Sequence, residues 1–314
     1  MAYHNFDELI TSLQINTSPK TVAVVVAEDR HTLEAVSRAR KNNIAVPILV
    51  GDRHLIIAEL EALGEDHANI EIMHVSDHQE AANEAVSLVR TRKADFLMKG
   101  GIQTADLLRA VVDKEKGLRT GQAMSLMVFH ELPGYHKLLT ITDGGMMMYP
   151  TLDEKKQIIQ NAVGVYHTLG VTEPKVAVLA AVEVINPKMP ETLDAAALKK
   201  MNLDGIIQGC YIEGPISYDL AMSTESALIK GYSSPVVGDA DILIVPNITV
   251  GNILSKALAV SAGAKIAGFV VGAQVPIVIT SRGSSSEEKY LSLVLSAVAV
   301  NMKEIKPRRQ PYEL

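Results

Sequence analysis

Short β-branched runs recur along this chain at intervals filled by amphipathic segments, and that alternation leaves few folds open. TVAVVVA (Thr21–Ala27) reads as a strand and Asp29–Asn42 as a helix. The pairs Ile48–Val50 with Arg53–Leu63, Ile70–Val75 with Asp77–Arg92, and Ala94–Met98 with Thr104–Val112 repeat the pattern. Apolar runs too short for helices, separated by segments of helical period, predict βαβ units on a parallel sheet with right-handed crossovers. Asp77 is placed to cap its helix.

The rhythm then changes. Met124–His130 and Lys137–Asp143 are apolar runs joined by the short loop Glu131–His136, a spacing that suits an antiparallel pair and hence a mixed sheet. Thr151-Leu152-Asp153-Glu154 has the form of a capping box opening a helix through His167. A second α/β run follows. Its predicted strands are Lys175–Ala181, Gly205–Gly209, Asp241–Val245, Ile266–Val271 and Ile277–Thr280. Its predicted helices are Pro190–Met201, Ala221–Lys230, Gly251–Ala262 and Glu287–Lys303. Two α/β halves imply a cleft between them, with ligands at the carboxyl ends of the strands. The change of rhythm puts the domain border near Asp143–Pro150.

Several function classes are disfavoured by composition. Hydrophobic residues at 47% and charged residues at 21% describe a folded globular chain. A net charge of −6, with KPRR (Lys306–Arg309) as the longest basic run, argues against nucleic acid as a partner. No window reaches the ~18 uncharged apolar residues of a membrane span, and MAYHNFDELI has no secretory pattern. The single cysteine, Cys210, excludes an internal disulfide framework and reads as a buried thiol in a reducing compartment. A cytoplasmic protein is expected.

Five loops could carry chemistry. The strand PIVIT runs into Ser281-Arg282-Gly283, three serines and a helix start, where free N–H groups, the helix dipole and an arginine fork suit an anion; a solvated serine-rich turn is the alternative. Lys99-Gly100-Gly101-Ile102-Gln103-Thr104 could hold phosphate with Thr104 as cap, or be a tight turn with a solvated lysine; it matches neither the P-loop nor the dinucleotide spacing. Asp143-Gly144-Gly145 could touch a ligand or form an Asx-turn. Glu183, Asn186 and Lys188 lie in a proline-stiffened loop, and Asn247, Asn252 and Lys256 near a helix start that Asn252 could cap. There is no nucleophile elbow, and the nine histidines show no zinc-ligand spacing, so no metal site is expected. His136, beside Tyr135, reads as structural. The residues alone reach an anion-handling α/β enzyme centred on Arg282.

Taken together, MKGGIQTADLLRAV (Met98–Val111), GLRTG (Gly117–Gly121), PGYHKLLTITD (Pro133–Asp143), PTLDEKKQIIQNAV (Pro150–Val163), VINPKMPETLDA (Val184–Ala195), GPISYD (Gly214–Asp219) and the long block Ala240–Leu293 resemble the phosphate acetyl/butyryl transferase family, above all its butyryl branch. The resemblance implies two three-layer α/β/α domains of the isocitrate/isopropylmalate dehydrogenase type, with the last helix returning to the first domain. The domains would be 1–143 plus 285–314, and 144–284. It implies a homodimer that interconverts acyl-CoA plus phosphate with acyl phosphate plus CoA in a ternary complex, with CoA as substrate and no metal or redox cofactor. On this reading Arg282 binds phosphate, Ser281 donates to the developing oxyanion, and Glu288, with Glu287 as the alternative, deprotonates the CoA thiol. Lys99 and Lys256 are candidates for the CoA phosphates. The chain departs from the family in having Ser284 where butyryl members carry Asp, Met147 for a usual Asn, and Ser125-Leu126 for a Ser-His pair. Met147 would make the acyl pocket more apolar. Weaker readings are a family member that binds CoA or acyl phosphate without turnover, and a same-fold hydroxy-acid dehydrogenase.

Overall fold

A computed structural model describes residues 3–16 and 18–300. The amino-terminal part runs α1 (Phe6–Asn16), β1 (Lys20–Val25), α2 (Arg30–Lys41), β2 (Ala45–Gly51), α3 (Arg53–Ala62), β3 (Glu71–His74), α4 (His78–Arg90), β4 (Phe96–Lys99) and α5 (Thr104–Val111). The middle adds β5 (Ser125–Glu131), β6 (Leu139–Thr142), α6 (Leu152–Thr168), β7 (Lys175–Leu179), α7 (Pro190–Leu203) and β8 (Tyr211–Ile216). The chain continues through α8 (Tyr218–Met222), α9 (Thr224–Lys230), β9 (Ile242–Ile244), α10 (Ile248–Ser261), β10 (Lys265–Val271), β11 (Ile277–Val278) and α11 (Ser286–Ala299).

All eleven strands join one mixed sheet in the order β3-β2-β1-β4-β11-β10-β5-β6-β9-β7-β8. The first five positions are parallel, as are the last four; between them β10 pairs antiparallel with β11 and β5, and β5 with β6. The expected antiparallel pair is therefore β5–β6, with Val128 opposite Ile141. β10 and β11, which precede the border placed at 284, insert between β4 and β5. α11 then packs on α2, β10 and α1. Strand interiors such as Val22–Val25 are buried on both faces, which is what a near-continuous β-branched run requires.

Helix starts follow local chemistry. Asp29, Asp52 and Asp77 cap α2, α3 and α4 by accepting from backbone N–H groups at the second or third position of each helix. Thr151 and Glu154 form the predicted reciprocal capping box. Other expectations need correction. Gly205–Gly209 is a turn, because Gly205 and Gly209 adopt left-handed backbone (φ 73° and 75°), and the strand lies at Tyr211–Ile216. The helix predicted over Ala221–Lys230 is two, interrupted at Ser223, which is extended (φ −138°, ψ 117°) and caps α9. α10 begins earlier than Gly251 because Asn247, not Asn252, caps it. α5 is capped by Gln103 without a side-chain bond, so Thr104 is not its cap. α1, with Phe6 and Leu9 buried, was not evident from periodicity. The predicted end of the last helix at Lys303 and the KPRR segment lie outside the described residues.

Candidate active site

The turn after β11 borders a cavity of about 560 Å³ closed by β5, β6, β10, α10 and the first turns of α11. Its wall is largely apolar, including Leu126, Val128, Ile141, Ile266, Ile279 and Leu291. Polar groups gather along the rest: Ser281, Ser284, Glu288, Asn252, Ser255 and Lys256. The site therefore offers an apolar slot beside a strip of donors and one half-buried carboxylate.

Two neighbouring glutamates have different surroundings. Glu287 is exposed and ion-paired with Arg38, whose guanidinium also lies 3.8 Å over the Tyr290 ring. Asn42 Nδ2 donates to the Tyr290 hydroxyl (2.8 Å), so α2 pins this side of α11. Glu288 is half-buried; burial pushes its carboxyl above the usual range, against a hydrogen bond from the buried Ser284 and the charge of Lys289. A carboxylate with a raised pKa in a cleft has the character of a general base.

Ser281 and Gly283 line the cavity, and Arg282 projects from between them, exposed. Lys99, at the end of β4, is 3% exposed and donates only to the Gly100 carbonyl (3.2 Å). Burial lowers its pKa, followed by the nearby charges of Lys289 and Arg282. Lys289, missed in the sequence reading, is also 3% exposed and donates to Thr280 Oγ1 (3.0 Å).

The remaining candidates have the following surroundings. Gly100 is needed for packing, since a Cβ there would stand 2.2 Å from the Val26 carbonyl oxygen. Thr104 is exposed on α5. Asp143 is buried and its carboxylate accepts from the N–H groups of Leu126, Gly145, Met146 and Met147 (2.8–3.2 Å), an Asx-type turn with both oxygens occupied. Asn186 accepts from the Lys188 N–H (3.0 Å), and Asn247 from Val250 N–H (3.1 Å); neither they nor Lys188 lines the cavity. Glu183 is held by Ser217 and Lys230. Asn252 reaches the Gly144 carbonyl (3.3 Å) across the cavity floor, where Gly144 and Gly251 meet backbone to backbone. Met147 packs on the core and is not among the residues lining this cavity, whereas Leu126 is.

His130, buried on β5, pairs through Nε2 with the cavity-lining Ser255 (2.9 Å); burial lowers its pKa to about 4, so it is neutral near neutral pH. His136 and Lys137 bind Asp239, tying the β5–β6 hairpin to the loop before β9, the structural role expected of His136. The Cys210 thiol is buried and pushed up to about 12 by that burial, an inert group. Among the described residues no three His, Cys, Asp or Glu side chains gather as a metal site. No helix among them is long and apolar enough to cross a membrane.

A mixed α/β sheet, a cavity with a Ser-Arg turn on its rim and a half-buried carboxylate in its wall suit an enzyme that handles an anion. The chain belongs to the family described as Phosphate acetyl/butaryl transferase, whose sequence profile matches residues 78–297. It is 45% identical over 299 residues to the phosphate butyryltransferase of Clostridium acetobutylicum, covering 95% of this chain and 99% of that one. It is 44% identical over 279 residues to the phosphate acetyltransferase of Thermotoga maritima, covering 89% and 95%. A branched-chain phosphotransacylase from Enterococcus faecalis V583 superposes with a TM-score of 0.81 at 36% identity, over 90% of this chain and 99% of that one.

Proposed function

We propose that this chain is a phosphate acyltransferase that moves a short acyl group between the thiol of CoA and inorganic phosphate, acting as a cytoplasmic homodimer. The observation that carries the reading is the shared cavity: an apolar slot, the Ser281 hydroxyl and the Glu288 carboxyl lie in one space, with Arg282 at its rim. A phosphate oxygen held by the Arg282 guanidinium attacks the thioester carbon. The Ser281 hydroxyl donates to the oxygen that becomes negative as the carbon turns tetrahedral. The C–S bond then breaks, and the proton that phosphate brought leaves on the CoA sulfur by way of Glu288. In the reverse direction Glu288 takes the thiol proton as the sulfur attacks the acyl phosphate. No redox or metal cofactor enters this scheme. The apolar wall, Leu126 included, favours butyryl and branched four-carbon groups over acetyl.

The test follows free thiol after mixing the protein with butyryl-CoA or isobutyryl-CoA and phosphate. Release that depends on phosphate is expected, and faster than with acetyl-CoA. Absence of phosphate-dependent release with every short acyl-CoA tried would rule the reading out.

A further inference from the structure

The parallel strands β1, β4 and β11 lie side by side, and their carboxyl ends deliver Asp29, Lys99 and Thr280 to one place. The first turn of α11 adds Lys289 to that group, and the turn before it adds Arg282. Strand carboxyl ends are where α/β sheets take their ligands. The cluster's three cations outnumber its carboxylates, Asp29 and Glu288. Among the described residues Lys99 has one hydrogen-bond partner, a carbonyl, and no ion pair, although it is 3% exposed. Lys289, equally buried, donates to Thr280 and is ion-paired at 3.8 Å with Asp29 Oδ1. That same Asp29 oxygen is committed to Thr32, accepting from its N–H (2.8 Å) and its hydroxyl (2.5 Å). Two buried ammonium groups and an arginine thus face one engaged aspartate and the Glu288 carboxyl.

Buried charge without a partner is strongly disfavoured, so an arrangement with surplus buried cations fits a protein that binds an anion there. We infer that Lys289 and Lys99 are phosphate-binding residues, which with Arg282 form a recess for the inorganic phosphate and for the phosphoryl end of the acyl phosphate. The recess adjoins the cavity through Thr280 and Ser281, which line it. A phosphoryl group carries two negative charges and several acceptor oxygens, matching three cationic donors. The ammonium groups fix the anion while Ser281 faces the carbonyl carbon. With the thiol and acyl chain in the apolar cavity that Ser281 borders, as the acyltransferase reading has them, the two lysines bear on phosphate and not on acyl-CoA.

This inference rests on the acyltransferase reading for its kinetics but not for its binding test. Phosphate titrations of thermal unfolding are measured on the wild type, Lys99→Met and Lys289→Met, followed by steady-state kinetics. Without phosphate Lys99→Met should unfold no earlier than wild type, because the methionine removes a buried charge that has no ion pair, whereas Lys289→Met also breaks the Asp29 pair and is read by its phosphate response alone. The stabilisation by phosphate should vanish, and KM for phosphate should rise roughly 10- to 100-fold with KM for acyl-CoA unchanged. Lys289→Arg, which keeps the charge, should recover part of the phosphate response and covers the case in which a methionine variant fails to fold. Variants that keep the wild-type response to phosphate overturn the inference. So does a loss of intrinsic stability with the phosphate response intact, which would mark the lysines as structural. If the wild type shows the phosphate response and the variants lose it, but no acyl-CoA is turned over, the recess stands and the acyltransferase reading falls. If turnover occurs and phosphate KM is unmoved in the variants, the reverse holds.

Discussion

At the scale of single residues, the adjacent glutamates at the start of α11 show how a helix sorts function. Consecutive positions point about 100° apart, so Glu287, which also borders the cavity, is exposed and pairs with Arg38, while Glu288 is half-buried against Ser284. Glu288→Gln should therefore lower the rate roughly 10²- to 10⁴-fold, while Glu287→Gln should leave it close to wild type. The base works deprotonated, so the rate from acyl phosphate and CoA should fall as pH drops through Glu288's raised pKa. Ser284→Ala removes a bond that favours the charged carboxylate and should move that limb to higher pH. Comparable losses in the two glutamine variants, or a pH limb unmoved by Ser284→Ala, would separate the carboxyl from the chemistry. Spacing after Arg282 pointed to Glu288 without deciding it, because the sequence does not show that Arg38, some 250 positions away, engages its neighbour. Lys289 went unread for a related reason: a lysine following two glutamates looks like a solvated helix start, and only the convergence of three strand ends buries it.

Among elements, the meeting of the loop after β6 with α10 sets the cavity floor. A Cβ on Gly251 would stand 2.8 Å from Gly144 Cα and 3.0 Å from the Asp143 carbonyl oxygen, so backbone would have to move. Gly251→Ala should destabilise the fold by about 1–3 kcal/mol in urea unfolding and raise KM by displacing Asn252. A variant with unchanged midpoint and kinetics would mean that this contact is looser than drawn. Most elements were legible because period and caps agreed: Asp77, Thr151 and Glu154 announce their helices, and β-branched runs announce central strands. The failures have local causes. Gly205–Gly209 has apolar residues between its glycines, yet left-handed glycines at both ends turn the chain. Ser223 stops a helix that composition alone would continue. Loop contacts such as the closure of Asp143 on its own backbone depend on the approach of β5, which no single segment reveals.

Over the whole molecule, apolar exposure is lopsided. Among the described residues, Val46, Leu55 and Val112 are the large hydrophobic side chains exposed before residue 144, whereas thirteen follow it. Leu228 and Ile229 on α9 are 81% and 80% exposed, and Ile253 on α10 is 63% exposed beside an apolar groove of about 540 Å³ that includes Tyr218, Pro246, Val250 and Leu254. Isolated exposed hydrophobics are ordinary, but their concentration on one half of the chain is the surface the proposed homodimer would use. A two-fold contact uses the same patch on both copies, so one apolar surface is enough to close a dimer. It would bury the outer face of α10 while the opposite face, with Asn252, Ser255 and Lys256, stays in the cavity. Light scattering should give twice the 33.9 kDa of one chain. The double substitution Leu228→Asp with Ile253→Asp, which places charge in the apolar contact, should give the single-chain mass with the helical signal retained. A wild type that scatters as one chain removes the dimer, and a charged variant that keeps the doubled mass moves the contact to another face.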